Sequence, residues 1–317
     1  MTSTSAVILI PTKITEDMLK PGTTLPVLAP GEVAWAAASA YAVDNLRVYK
    51  GGVYSCVREH TGRTQTPDLD PQYWLFKEPS TRMLAFDDYG YTVTRTTGEL
   101  VYVLQPGFFS GIDLDNLEGG HLEITVRDAP GGTVIKHYEG DLYEQAMGLY
   151  ELLFAPLKPL RKLSLSGIES YPDAEVTIRI TSGTPDNPGP VGVGRITIGD
   201  WRTLLGTSPR GGVEFGATVD LKTHTHFDEA DDGSIKVTRR PSGLNVSCQV
   251  FIDAEEAAAA VDLLLSVLHK PVAFVGTDIG KYSYINTYGF ISATVSADNV
   301  KDATLSLKVK GLPSYDY

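Results

Sequence analysis

The sequence predicts a mainly β, multi-domain protein: a small aromatic-rich β module followed by two β-sandwich domains, the last with one packed α-helix. Three observations predict it. Apolar residues alternate with period two at Val101 and Val103, at Leu122, Ile124 and Val126, and at Val176, Ile178 and Ile180, as half-buried strands require. The composition, with 31 Gly, 19 Pro, 16 Tyr and only 4 Met, favours strands and turns over helical bundles. A clear helical pattern stands out once. Asp253 is placed as N-cap with Glu256 completing a capping box, and Val261, Leu264, Leu265 and Leu268 form an apolar stripe. His269 and Lys270 suit the negative end of the helix dipole, and Pro271 stops it.

The order of these patterns divides the chain. Residues 1–32, with Pro11, Pro21, Pro26 and Pro30, read as an extended N-terminal arm, because proline blocks a helix and lacks a ladder donor. Residues 33–79, from Trp35 to Trp74, crowd aromatics and turn signals into a small module. Residues 80–182 alternate as a β-sandwich, with turns at Glu118-Gly119-Gly120 and Ala129-Pro130-Gly131-Gly132. Residues 183–194 read as a Pro/Gly linker. Residues 195–317 alternate again, from Val213 to Leu221, from Leu244 to Ile252 and from Leu305 to Val309, around the helix.

Bulk properties exclude several functions. Of 317 residues, 42% are hydrophobic and 21% charged, enough for sizeable cores. A net charge of −12 repels phosphate, and Arg239-Arg240 and Lys158 to Lys162 are isolated cations, so no nucleic-acid partner is expected. Cys56 and Cys248 cannot make a disulfide framework or a four-thiolate zinc site. The start MTSTSAVILIPTK has no basic segment, and Ala6 to Ile10 is too short a run for a signal peptide. No stretch approaches the ~20 apolar residues of a membrane span. The expectation is a protein made in the cytoplasm, with no membrane span, that reaches any outside target through lysis.

The stretch from Ala34 to Phe76 carries Trp35, Tyr41, Asp44, Val48, Tyr49, Gly52, Tyr54, His60, Thr61, Pro67 and Trp74 in the order of a known pattern. It resembles the small chitin-binding-type modules appended to bacterial chitinases and cellulases. Val43-Asp44-Asn45 stands where a Gly-Asp turn is usual, and the loop from Thr61 to Asp70 is short. The resemblance implies a carbohydrate-binding module with candidate residues Trp35, Tyr41, Tyr49, Tyr54 and Trp74. Flat aromatics stack on the apolar face of a pyranose at low entropic cost. A domain this small also needs aromatics for its own core. Trp35 and Trp74 are expected as the core pair, with Tyr49 and Tyr54 on a hairpin.

That module, followed by Arg82-Met-Leu-Ala-Phe-Asp-Asp88, is also similar to the front ends of bacteriophage tail proteins. The C-terminal third is similar in texture to β-sandwich tail and baseplate proteins. The resemblance implies a non-enzymatic structural component of a tail tip or baseplate, located in the virion and made in the host cytoplasm. Its implied partners are other tail and baseplate proteins, further copies of itself, and a glycan of the bacterial surface. The tyrosines at Tyr282, Tyr284, Tyr288, Tyr315 and Tyr317 suit subunit contacts. The alternative is a free glycan-binding adhesin, or an accessory module protein of a polysaccharide-degrading system.

Chemistry-bearing clusters are few. His224, His226 and Asp228 are weak candidates for a metal: two histidines would share a strand face, but a third histidine and calcium-loop spacing are missing. No metal and no cofactor are expected. Gly192-Val-Gly194 to Gly199 opens a strand and not a helix, so it offers phosphate no helix N-terminus. Nucleophile-elbow and His-Glu-x-x-His motifs are absent. Acid pairs such as Asp113/Asp115 and Asp87/Asp88 remain, and no catalytic residue is expected.

Overall fold

The first strand of the chain lies in the middle of its largest sheet. The computed structural model describes residues 6–88, 92–143, 153–154, 158–204, 212–229, 233–240, 242–277 and 280–313. The protein is mainly β, with 52% of the chain in strands. Strand β1 (Val7–Pro11) pairs on both sides, Val7 facing Thr203 on one and Val275 on the other. Ala6, Ile8 and Leu9 are fully buried, as suits an apolar run covered on both faces. The arm expected over 1–32 is therefore corrected. Its start is a central strand, and its later part is fastened by Lys20 N–H to Val103 O at 2.8 Å and Thr24 N–H to Val101 O at 3.0 Å.

The front module follows. β2 (Ala40–Tyr41) pairs with β5 (His60–Thr61). β3 (Leu46–Tyr49), β4 (Gly52–Cys56) and β6 (Trp74–Pro79) form a three-stranded sheet with β4 central. The β3–β4 hairpin turns on Lys50 and Gly51, with φ of 45° and 71°; two positive values are the type I′ geometry that matches strand twist. This turn docks the module. Ser80 N–H donates to Gly51 O at 2.8 Å, and a Cβ on Gly51 would lie 2.7 Å from Met83 Cγ. Nearby, one Glu32 carboxylate oxygen accepts from both Thr81 N–H and Thr81 Oγ1, each at 2.8 Å.

β7 (Thr94–Thr97), β8 (Glu99–Leu104), β9 (Gly111–Glu118), β10 (His121–Arg127), β11 (Val134–Asp141), β12 (Lys162–Leu165) and β13 (Glu175–Thr181) build the first sandwich. One layer is the sheet β11-β10-β13-β8. Its inward residues, among them Leu100, Tyr102, Ile124 and Ile178, pack on Ile112 and Leu114 of β9. A short hairpin, β14 (Gly183–Thr184) with β15 (Asn187–Pro188), leads into the 14-residue β16 (Pro190–Thr203).

The linker expected over 183–194 is thus corrected as well. Val191 and Val193 are fully buried, and β16 pairs with β7, β9 and then β1. The prolines that suggest a linker sit in the hairpin and at the first position of β16, where no ladder donor is lost. Gly194 is needed for packing: a Cβ there would lie 2.7 Å from Asn116 Cβ.

The remaining strands are β17 (Gly212–Val213), β18 (Thr218–Thr223), β19 (His226–Glu229), β20 (Ile235–Thr238) and β21 (Ser242–Asp253). Helix α1 (Ala257–Val267) then precedes β22 (Val272–Val275), β23 (Thr287–Ala297) and β24 (Asp302–Gly311). Among the described residues eleven strands form one sheet, along β12-β9-β16-β1-β22-β23-β24-β21-β17 with β7 and β18 attached. The sheet therefore runs unbroken from the first sandwich into the C-terminal region. There the second layer is α1, whose Ala260, Leu264 and Val267 pack with Val250, Phe274 and Leu305.

The helix differs from its expected form in two ways. Asp253 closes β21, and Glu256 holds the N-cap position without a side-chain cap hydrogen bond. The buried stripe is 260-264-267, so Leu265 and Leu268 face outward.

Candidate functional site

One face of the β3-β4-β6 sheet collects the aromatics of the module. The register sets Arg47 opposite Tyr54, Tyr54 opposite Phe76, and Cys56 opposite Trp74. Alternation then places Tyr49, Tyr54, Cys56, Trp74 and Phe76 on the same side. The two ends of this face differ in burial.

The Cys56 end is closed. Trp74 and Tyr41 are 2% and 4% exposed, and their rings meet edge-on at 4.9 Å. His60 lies 5.4 Å from Tyr41 and 5.5 Å from Trp74, and Tyr73 covers His60 at 5.1 Å. The Tyr41 hydroxyl accepts from Ala36 N–H and donates to Ala36 O, both at 2.8 Å. Tyr41 and Trp74 are therefore corrected from candidate ligand contacts to folding core, since a sugar ring cannot reach them. Trp35, expected as the core partner of Trp74, does pack against the Tyr41, Cys56 and Trp74 cluster, but it is half-buried and stands edge-on to Tyr49 at 5.4 Å.

The other end is open. Trp35, Tyr49 and Tyr54 are half-buried and Phe76 is 54% exposed; Tyr54 and Phe76 meet at 5.7 Å. Both rings lie over the bare backbone of Gly52, where a Cβ would come within 3.0 Å of each. Lys50 Nζ sits 5.2 Å from the Tyr49 ring centre and 3.3 Å from Asp68 Oδ2. The Thr66 hydroxyl donates to Asp68 Oδ1 at 2.5 Å. That bond, with Lys50, holds the Asp68 carboxyl below the usual carboxylate range, so it stays an acceptor. Burial, together with the negative charge of Asp68, pushes the Tyr54 hydroxyl up, so it stays a donor. The open end thus combines aromatic faces for stacking with an ammonium, a carboxylate and a phenol for hydroxyl groups.

Phe76, Lys50 and Asp68 were not singled out by sequence. Phe76 carried a usable signal, since it stands two residues after Trp74 on the same strand face. Lys50 and Asp68 carried none, because eighteen positions separate them and only the fold joins them.

The other candidates are dispersed or enclosed. His224 falls in the break before β19, so it does not share a strand with His226. His226 Nε2 instead lies 2.7 Å from Asp228 Oδ1 on an exposed strand. Among the described residues no group of three His, Cys, Asp or Glu could hold a metal ion. Asp87 accepts from Thr92 Oγ1 at 2.7 Å. Tyr282 and Tyr284 lie in a 3-10 turn with rings 6.3 Å apart, Tyr288 is buried, and Tyr315 and Tyr317 fall outside the described residues.

Asp113 and Asp115 on β9 lie in a buried cluster. Ser164 Oγ donates to Asp113 at 2.6 Å, and Arg195 Nη2 donates to Asp115 at 2.6 Å. Burial pushes the Asp113 carboxyl up to about 6, despite the nearby Arg195. Burial works against the charge on Asp115 too, but there Arg195 and Lys162 outweigh it and hold the carboxyl low.

Among the described residues no helix is long and apolar enough to cross a membrane. Comparisons with protein families, curated proteins and solved structures gave no match to this chain.

Proposed function

We propose that this chain is a non-enzymatic structural component of a bacteriophage tail tip or baseplate, with its front module presenting a carbohydrate-binding surface to the bacterial host. The observation that carries the reading is the open aromatic strip of Trp35, Tyr49, Tyr54 and Phe76, bordered by Lys50 and Asp68. The module bearing it is clamped to the body at Gly51 and Glu32, so bound sugar would be held by a fixed frame. An eleven-stranded sheet spanning both larger regions suits a load-bearing part.

Retention of the purified chain on chitin and on bacterial polysaccharides tests the carbohydrate reading. Tyr54→Phe with Phe76→Ala should weaken retention while leaving the fold intact, because Phe76 is 54% exposed and the ring of residue 54 that packs against Tyr41, Cys56 and Trp74 is kept. Equal retention by wild type and double variant would remove the strip from the site. Light scattering and negative-stain imaging test the structural reading. Defined particles, alone or with other virion proteins, support it, whereas a strictly monomeric sugar binder would favour the free adhesin.

A further inference from the structure

The C-terminal sheet runs off the end of its own core. β18 pairs with β21 from Thr218↔Ser247 to Thr223↔Ser242. After a one-residue slip, β19 and β20 carry the same two chain segments onward, from His226↔Thr238 to Glu229↔Ile235. From Ser242 to Ile235, at ~3.3 Å per residue, the arm extends about 20 Å. Every residue of β19 and β20 is exposed.

The two faces of this arm are unlike. His226, Asp228, Lys236 and Thr238 line one, and Phe227, Ile235 and Val237 lie on the other, with Glu229 beside Ile235 at its outer end. Phe227 keeps the parity of Val219 and Leu221 along the first strand, whereas Ile235 and Val237 have the opposite parity to Leu244 and Val246 and reach the side of Phe227 through the slip in register. At the root Val219 pairs with Val246, which is fully buried; one step out, Leu221 pairs with Leu244 and is already 81% exposed. A bare two-stranded ribbon is marginal in water. An apolar stripe prolonged beyond its domain is a surface for contact.

An apolar groove lies at the opposite end of β21. Between β17 and β18 the edge bulges outward, leaving Phe215 98% exposed. Val213, Phe215, Ala217, Phe251, Tyr284 and Ile285 line a groove of about 390 Å³ there. β17 pairs at Phe251 whereas the arm leaves at Ser242, so the two features sit about 30 Å apart along the strand. The arm points away from its own groove.

Charge favours a second copy of the chain as the occupant. In the sequence, the segment from Lys222 to Arg240 holds four cations (Lys222, Lys236, Arg239, Arg240) and four acids (Asp228, Glu229, Asp231, Asp232). It is neutral in a chain of net charge −12, so another copy repels it less than it repels the average segment. Glu214 at the groove rim complements the cationic root of the arm. We propose that the arm of one copy lays Phe227, Ile235 and Val237 into the groove of the next, head to tail, an interface that rests on the structural reading above. A heterologous contact of this kind builds rings or filaments.

Light scattering of the full chain over a concentration series tests this, with Phe227→Asp and Phe215→Asp as exposed single variants. Wild type should associate. Each variant alone should stay monomeric, its association weakened about tenfold or more. An equimolar mixture should form dimers and nothing longer, because one variant keeps its groove and the other its arm. Circular dichroism should be unchanged in both. Association of the variants at wild-type strength would overturn the inference while leaving the structural reading standing. A wild-type chain that stays monomeric at every concentration and with other virion proteins would remove both.

Discussion

The guanidinium carbon of Arg195 lies 3.4 Å from the ring centre of Tyr288. Arg195 is on β16 and Tyr288 on β23, with β1 and β22 between them in the sheet. Three strand spacings in a flat sheet would separate them by about 14 Å. The two side chains nonetheless meet, so the sheet does not run flat between these strands. The same guanidinium donates to Asp115 on β9, so one buried arginine joins the first sandwich to the C-terminal region.

Removing that cation should be costly. Arg195→Met leaves the enclosed Asp115 carboxylate with only the more distant Lys162 as a charged partner and should destabilise the protein by about 3 kcal/mol. Urea unfolding followed by intrinsic fluorescence would show it as a lowered midpoint. An unchanged midpoint would mean that the pair is offset by solvent.

The carboxylates of the same cluster set a pH dependence of two signs. The folded Asp113 carboxyl lies at about 6, above its ordinary 3.8, so the fold binds a proton there more readily than the unfolded chain. Its ionisation therefore opposes folding, and stability should rise as pH falls from about 7, by about 1 kcal/mol at pH 5 and by up to about 3 kcal/mol once pH is below about 4. Asp115, held low, contributes stability present above its unfolded value and lost as pH falls through its folded one. Asp113→Asn should flatten the rise between pH 7 and pH 5 in the unfolding midpoint and leave the acid loss in place.

Within the module, burial separates core from surface. Trp74→Ala should cost about 3–5 kcal/mol and unfold the module, because it removes the ring that Tyr41 and His60 pack against. Phe76→Ala, on the same strand and face, should change stability far less. Near-ultraviolet circular dichroism with a thermal scan separates the two outcomes; equal losses would contradict the division of the face into a closed and an open end.

The docking turn should tolerate no side chain. Gly51 has φ of 71°, and a Cβ would lie 2.7 Å from Met83 Cγ. Gly51→Ala should cost about 1–2 kcal/mol in backbone strain before Met83 is displaced. Limited proteolysis between the module and residue 80 should accelerate. Lys50→Gly, relieving the other positive φ of the turn, should be neutral or mildly stabilising.

Much of the strand content was legible in the sequence. The period-two runs at Leu122 to Val126 and Val176 to Ile180 became β10 and β13, with the apolar residues inward as alternation requires. The helix was legible in place, but its ends and its inner face were not. Leu265 and Leu268 are as apolar as Leu264, and only the position of the sheet chose the stripe 260-264-267. In the candidate site, the sequence located the module and named Trp35, Tyr49 and Tyr54. It could not separate them from Tyr41 and Trp74, because stacking on a sugar and packing in a small core call for the same rings.

The sequence by itself determined where many of the strands and turns and the helix lie, and that the aromatics of residues 33–79 belong together, because periodicity and turn chemistry act over a few residues. The tertiary structure alone decided that Val7–Pro11 and Pro190–Thr203 are neighbours at the heart of one sheet. The prolines and glycines around each resemble an arm and a linker, and their central position comes from contacts nearly two hundred residues apart. Pairing at that range is fixed by which faces can be buried together, a property of the whole packed chain that no local window carries.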